Sequence, residues 1–172
     1  MDELELPTDP SSFVFKGILR IETGERMATH FVLLTDKSSR QIKKTSWVFD
    51  WQRELKQTDR HVYKLVMLSE PDTIQGLISL SFEAGYIFVQ LIENAAFNRG
   101  EGKVFDGVVG NLLTFACLLS VNSGFEGFVA FDSKSELIRY YQQNYGAIRI
   151  GGIRMAIDEH AAHHLINKYY KA

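Results

Sequence analysis

The run "GVVGNLLTFACLLSVNSG", Gly107 to Gly124, constrains the fold more than any other stretch of the chain. Val109, Leu112, Leu113, Ala116 and Leu119 recur at helical spacing and predict a helix over about Val108 to Val121. Gly124 is a natural C-terminal stop. Strand-like segments lie on both sides of this helix. A strand–helix–strand crossover within one sheet is right-handed and leaves its two strands parallel. The sheet must therefore contain a parallel pair that flanks this helix.

The segments before it read differently. "HVYKLVMLSE", "IQGLISLSFEA" and "YIFVQLIENAA" are rich in β-branched and aromatic residues, and only "PDT" and Gly85 separate them as turns. Three strands so closely spaced form an antiparallel meander. Phe13 to Thr23 alternates well enough to be an earlier strand, and "ERMATHFVLLT" is read as a helix, with a second strand as the alternative. A short helix is expected around Phe49 to Lys56. After the long helix come a strand at "FEGFVAFDS" and a helix at "KSELIRYYQQNY", where Leu137, Tyr141 and Tyr145 share a face. A last strand follows at "AIRIGGIRMAI", bent or bulged at Gly151–Gly152. Asp158 caps the closing helix, whose Ala162, Leu165, Ile166 and Tyr169 face the core. The fold class is α/β (α+β), with a mixed, mostly antiparallel central sheet and helices on both faces.

At 172 residues one domain is expected over the whole chain, 1–172. A net charge of -2 argues against broad nucleic-acid binding, so no nucleic-acid partner is expected. No apolar run reaches the length of a membrane span, and the acidic opening "MDELELPTDP" has no signal-peptide core. The expectation is a cytoplasmic protein without a membrane partner. Cys117, the single cysteine, falls inside the apolar run and reads as a small buried hydrophobe. His160, His163 and His164 crowd the last helix, but two histidines four apart without a nearby third ligand make no metal site, and none is expected.

Glycine costs a helix about 1 kcal/mol against alanine, so Gly107 and Gly110 at a helix start need a reason. The first amides of a helix are unpaired and carry partial positive charge, which suits phosphate. Bare backbone at that corner lets an anion approach. Two familiar phosphate loops fail here. Gly102–Lys103 is followed by Val104, and Phe97 stands where the Walker pattern needs its first glycine; Phe105 stands where the dinucleotide pattern needs its third.

"VFDGVVGNLLTFACLLSVNSGFEGFVAF" resembles the central motif of the GNAT superfamily of acyl-CoA N-acyltransferases, Gln/Arg-x-x-Gly-x-Gly/Ala before a helix. Gly107 fills the first glycine position, while Val104 and Val109 depart from the pattern. "SKSELIRYYQQNYGA" is similar to the family's next helix, and the order of elements from Val62 to Ile157 fits the family's core. The resemblance covers roughly residues 60–158, leaving 1–60 as an acceptor-side region and 158–172 as a C-terminal helix.

The resemblance implies transfer of an acetyl group from acetyl-CoA to a primary amine by direct attack. It implies pyrophosphate on the amides of Gly107, Val108, Val109, Gly110 and Asn111, with Lys103 and Arg99 adding charge. The pantetheine arm would pair with the backbone from Leu91 through Glu93 to Ala95. Glu93 matches the family's general base, in an apolar setting where desolvation strengthens a base. The acid for the departing thiolate is assigned to Tyr141, with Tyr140 in reserve. "WVFDW", Trp47 to Trp51, would wall the acceptor pocket, although packing over the sheet is favoured for it. The acceptor is a small-molecule or peptide amine. Dimers are frequent in the family, and the C-terminal "NKYYKA" offers a surface for a homodimer. A non-catalytic CoA-binding or protein-interaction module on the same fold is the alternative.

Overall fold

The computed structural model describes residues 6–171; the acidic opening Met1–Glu5 and the final Ala172 lie outside the described residues. One sheet of nine strands organises the chain. Its strands are β1 Phe15–Arg20, β2 Arg26–Leu34, β3 His61–Met67, β4 Glu70–Phe82, β5 Ile87–Asn94, β6 Phe105–Asp106, β7 Val129–Asp132, β8 Ile148–Gly151 and β9 Arg154–Ile157. Their spatial order is β6-β1-β2-β3-β4-β5-β7-β9-β8. Among the described residues only β5 and β7 pair in parallel, and the helix between them is α2, Val108–Asn122. The crossover rule thus held. Among the described residues the other α-helices are α1 Trp51–Leu55, α3 Ile138–Tyr145 and α4 Glu159–Tyr169.

Burial explains why α2 is apolar almost all round. Twelve of its 15 residues are buried, because the sheet covers one side and α4 covers another. Phe115 stacks on Phe31 with centroids 4.0 Å apart and meets the Tyr63 ring edge-on at 4.7 Å. Each large side chain so buried contributes about 1.5–3 kcal/mol. Cys117 is fully buried in the same layer, as expected. Asp158 does cap α4, accepting the Ala161 N–H at 2.9 Å.

The other sheet face carries a smaller cluster of Leu34, Ile42, Trp51, Val62 and Leu77 under the loop and short helix of residues 35–60. Glu54 of α1 fastens that cover to β4 by accepting Ser79 Oγ at 2.7 Å, and it is paired with Arg60 at 2.9 Å.

Three sequence expectations are corrected. "ERMATHFVLLT" forms strand β2, not a helix; strands on both sides take its backbone bonds, and Thr29 and Phe31 alternate into the core. "PDT" lies inside β4. The chain turns earlier, at Leu68–Ser69, and a bulge opposite Leu65–Met67 absorbs the extra residues. "AIRIGGIRMAI" is two strands, β8 and β9, folded into a hairpin at Gly152–Ile153.

Candidate cofactor and active site

The β5–β7 ladder is short. It runs from Ile87↔Val129 to Val89↔Phe131, while β5 continues to Asn94. Just past Val89 the pairing with β4 skips a residue, because Ser79 faces Leu91 and Leu80 faces Val89, so Gln90 is the extra one. A bulge bends the strand that carries it. The far half of β5 stays bonded to β4 but leaves its other edge without a ladder partner among the described residues. That edge is a template for an extended, amide-bearing ligand. The template stops short of Ala95, whose N–H is spent on the Gln75 carbonyl at 3.0 Å and whose own carbonyl accepts from Asn98 N at 2.8 Å.

Helix α2 starts beside the end of β5. Gly107 is its N-cap, in the left-handed region at φ 98. The amides of Val108, Val109 and Gly110 have no intrahelical acceptor. Asn111, expected to offer its amide too, does not: its N–H makes the first helical bond, to the Gly107 carbonyl at 3.1 Å. Its fully buried side chain instead ties the corner down. Nδ2 donates to the carbonyls of Gly17 (3.1 Å) and Gly107 (2.7 Å), and Oδ1 accepts Thr29 Oγ1 at 2.7 Å. Gly110 has a packing reason, since a Cβ there would overlap the Tyr169 ring of α4.

A cavity of about 320 Å³ opens at this corner. Asn94 and Asn98 line it from the end of β5, the segment Lys103–Val109 from the helix start, Tyr140, Asn144 and Tyr145 from α3, and Lys168 and Tyr169 from α4. The donor set fits a phosphate group: helix amides, two lysines and polar walls. One residue opposes it. Asp106 sits at the same mouth, and Lys103 donates to it at 2.8 Å. That bond, with help from the Gly107 amide and Lys168, holds the Asp106 carboxyl below its usual range. Lys168 is therefore the lysine not committed to Asp106 by a hydrogen bond. Arg99 is exposed and does not line the cavity.

Glu93 points elsewhere. It lies on the opposite face of β5, 6% exposed, and its carboxylate accepts three N–H groups: Val48 N at 2.8 Å, Phe49 N at 3.0 Å and Trp51 Nε1 at 2.9 Å. A carboxylate so engaged fixes the 47–51 loop. The residue expected as general base is thus placed as a brace for the 47–51 loop and does not line the cavity at the start of α2. The 47–51 loop walls a cavity of about 210 Å³ with Trp47, Phe49 and Trp51, while Asp50 caps α1 by accepting Arg53 N at 3.0 Å.

The two tyrosines are placed differently, the reserve candidate Tyr140 on the cavity wall and Tyr141 in the core. Tyr141 is buried against Phe131, ring centroids 4.8 Å apart, and burial pushes its hydroxyl up. Tyr140 is 40% exposed and lines the cavity. Its hydroxyl meets that of Tyr145 at 3.0 Å. The sequence reading missed Asn94, Asn98, Asn144, Tyr145, Lys168 and Tyr169 at this site. The tandem Tyr169–Tyr170 after a lysine gives a local signal, but it reads as a core-facing Tyr169 within a surface for a homodimer. Among the described residues no cluster of three or more His, Cys, Asp or Glu side chains could hold a metal, and no helix is long and apolar enough to cross a membrane.

This arrangement defines a class. A mixed sheet that parts beside a helix start is the GNAT architecture, and the chain carries the fold of the GNAT acetyltransferases. No family model and no curated protein matches the sequence. Solved structures do. The chain is similar to a tyrosine-to-phenylalanine mutant of the toxin AtaT bound to the C-terminus of the antitoxin AtaR, at 13% identity and TM-score 0.56, over 81% of this chain and 98% of that one. The AtaT–AtaR complex bound to DNA matches at 12% and 0.57, over 79% and 98%. AtaTR with acetyl-CoA matches at 13% and 0.52, over 80% and 98%. The expectation that excluded nucleic acid is corrected by these neighbours, which include a toxin–antitoxin assembly on DNA.

Proposed function

We propose that this protein is an N-acetyltransferase that moves an acetyl group from acetyl-CoA to a primary amine in a ternary complex. One observation carries the reading: β5 parts from β7 at Val89, beside the open start of α2. In this reading the pyrophosphate rests on the amides of Val108, Val109 and Gly110, with Lys168 balancing part of its charge. The free edge of β5 from Leu91 to Asn94 pairs with the amides of the pantetheine arm. Tyr140, on the cavity wall, protonates the departing sulfur. Glu93 is a positioning residue that holds the acceptor-side loop. The amine attacks directly, because Cys117 is buried and its thiol is pushed up by desolvation, a poor setting for an acyl-enzyme.

The neighbour solved with acetyl-CoA supports the choice of co-substrate. A second reading has its own support. With Glu93 fully engaged and Asp106 at the mouth of the cavity, the fold could bind CoA or a partner without turnover.

A thermal melt with and without acetyl-CoA tests both. A ligand at ~100 times its dissociation constant adds ~2.7 kcal/mol, which raises the midpoint by several degrees. Gly107→Glu, which sets a carboxylate at the helix start, is expected to abolish the shift. No shift in the wild type rejects the cofactor in both readings. A shift without thiol release for any amine favours the binding module.

A further inference from the structure

Residues Tyr140 and Tyr145 are five apart on α3, a spacing that does not bring side chains together on an ordinary helix face. Their hydroxyls nevertheless meet at 3.0 Å, with the rings edge-on and centroids 5.7 Å apart. The contact forms where the helix ends at Gly146. Asn144 keeps that end closed, its Nδ2 donating to the Tyr140 carbonyl at 2.9 Å. Both hydroxyl-bearing side chains line the cavity at the start of α2. They differ in burial, Tyr145 being 9% exposed and Tyr140 40%.

We propose that Tyr145 is a positioning residue that holds the Tyr140 hydroxyl by a hydrogen bond and steadies the phenolate that Tyr140 becomes when it protonates the departing sulfur. The proposal rests on the acetyltransferase reading and deepens it. Two phenols that share one hydrogen bond cannot both be the donor. Either hydroxyl can donate while both are neutral, but a Tyr140 phenolate can only accept, and burial, reinforced by the bond to Tyr140, pushes the Tyr145 hydroxyl up, so Tyr145 keeps its proton when Tyr140 gives up its own. With Tyr145 as the donor, Tyr140 accepts and has its own O–H free for the cavity. In the reaction the amine lone pair forms a bond to the thioester carbonyl carbon. The carbon–sulfur bond breaks with its electron pair on sulfur, and the Tyr140 proton passes to that sulfur. The phenolate left behind accepts the Tyr145 O–H and recovers a proton from the ammonium centre of the product through water. The products are the N-acetyl amine and the free thiol.

Other charged and titratable groups neighbour this pair or share its cavity. Tyr141 lies on the same helix, Lys168 and Tyr169 come from α4, and Lys103 and Asp106 come from the segment before α2. Lys103 and Asp106 neutralise each other, which leaves Lys168 as the cation on the cavity wall.

Free CoA serves as the probe, so no acceptor is needed. The thiolate absorbance of CoA bound to the full-length protein is followed against pH in the wild type, Tyr140→Phe and Tyr145→Phe. A hydroxyl donor aimed at the sulfur should favour its thiolate about tenfold over free CoA. The whole gain should vanish in Tyr140→Phe, and most of it in Tyr145→Phe. Both variants keep their rings, so packing is retained, and a melt verifies the fold. If Tyr145→Phe is folded and keeps the full gain, Tyr145 does not position Tyr140 and the proposal is overturned. If bound CoA in the wild type ionises like free CoA, Tyr140 is not at the sulfur; the proposal falls while CoA binding stands. If calorimetry finds no CoA binding, the acetyltransferase reading fails and the proposal with it.

Discussion

The indole of Trp51 donates its Nε1–H to Glu93 Oε1 at 2.9 Å, across 42 residues of chain, and so joins the 47–51 loop to strand β5. The amides of Val48 and Phe49 complete the arrangement on the same carboxylate. Three donors converge on one nearly buried group, and the 47–51 loop, including the cover over Leu77 and Leu91, follows from it.

Replacing Glu93 with Gln should therefore act first on structure. An amide offers one acceptor oxygen and turns an NH₂ toward donors. Leaving a buried donor unmet costs about 1–3 kcal/mol. Urea unfolding should show a loss of that size, and the buried Trp51 should report loosening of the loop by a red-shifted fluorescence. Unchanged stability and emission would show that the carboxylate does not hold the loop.

Asn111→Leu should be comparably damaging, although it places an apolar residue in an apolar helix. The change strips partners from Thr29 Oγ1 and from the Gly17 carbonyl, both inside the fold. The expected cost is about 1–3 kcal/mol for each group left without a partner. Hydrogen exchange should locate the damage at the junction of β1, β2 and the first turn of α2. Loss of protection spread evenly over the sheet would contradict the clamp.

How far the sequence could be read follows from where its information is local. The helix Val108–Val121 and the parallel pair around it were legible because an apolar period and a handedness rule suffice. Strand β2 was not, since Met27, Ala28, Leu33 and Leu34 are good helix formers, and only pairing with β1 and β3 makes the segment extended. The cavity drew its helix-start residues from a recognisable motif. Its other walls, Tyr140, Tyr145 and Lys168, come from helices whose approach no local pattern encodes. Tyr141 was preferred to Tyr140 by motif spacing, yet which of two adjacent tyrosines faces the cavity depends on how α3 rolls against Phe131. Glu93 looked like a base because its strand is apolar. Its donors come from a loop 42 to 45 residues away.

Gly110→Ala separates a packing glycine from a ligand glycine. At an open helical position the change should stabilise by about 1 kcal/mol. Here the new methyl would overlap the Tyr169 ring, so overpacking should destabilise by about 1–3 kcal/mol instead. Adding Tyr169→Ala should remove the conflict, and a double-mutant cycle on melting or urea data should give a clear coupling energy. Additive effects would mean that α4 does not press on the start of α2.

Alkaline pH should unfold the protein through its buried acids. The thiol of Cys117 and the hydroxyls of Tyr63, Tyr141 and Tyr145 are all pushed up by burial. In the unfolded chain these groups return to ordinary values of 9.0 for the thiol and 10.0 for the phenols. The unfolded state therefore loses its protons first as pH rises, and stability falls with pH. The contribution is fully present below those values. It should begin to disappear above pH 9 for Cys117 and above pH 10 for the tyrosines, at about 1.4 kcal/mol per pH unit for each group once both states differ by a full proton. Urea midpoints across that window should decline steeply, and Cys117→Ala should delay the onset while lowering stability at neutral pH by its lost packing. The same burial makes the native thiol inert to alkylating reagents until the protein unfolds. Rapid alkylation of the folded protein would place Cys117 outside the core.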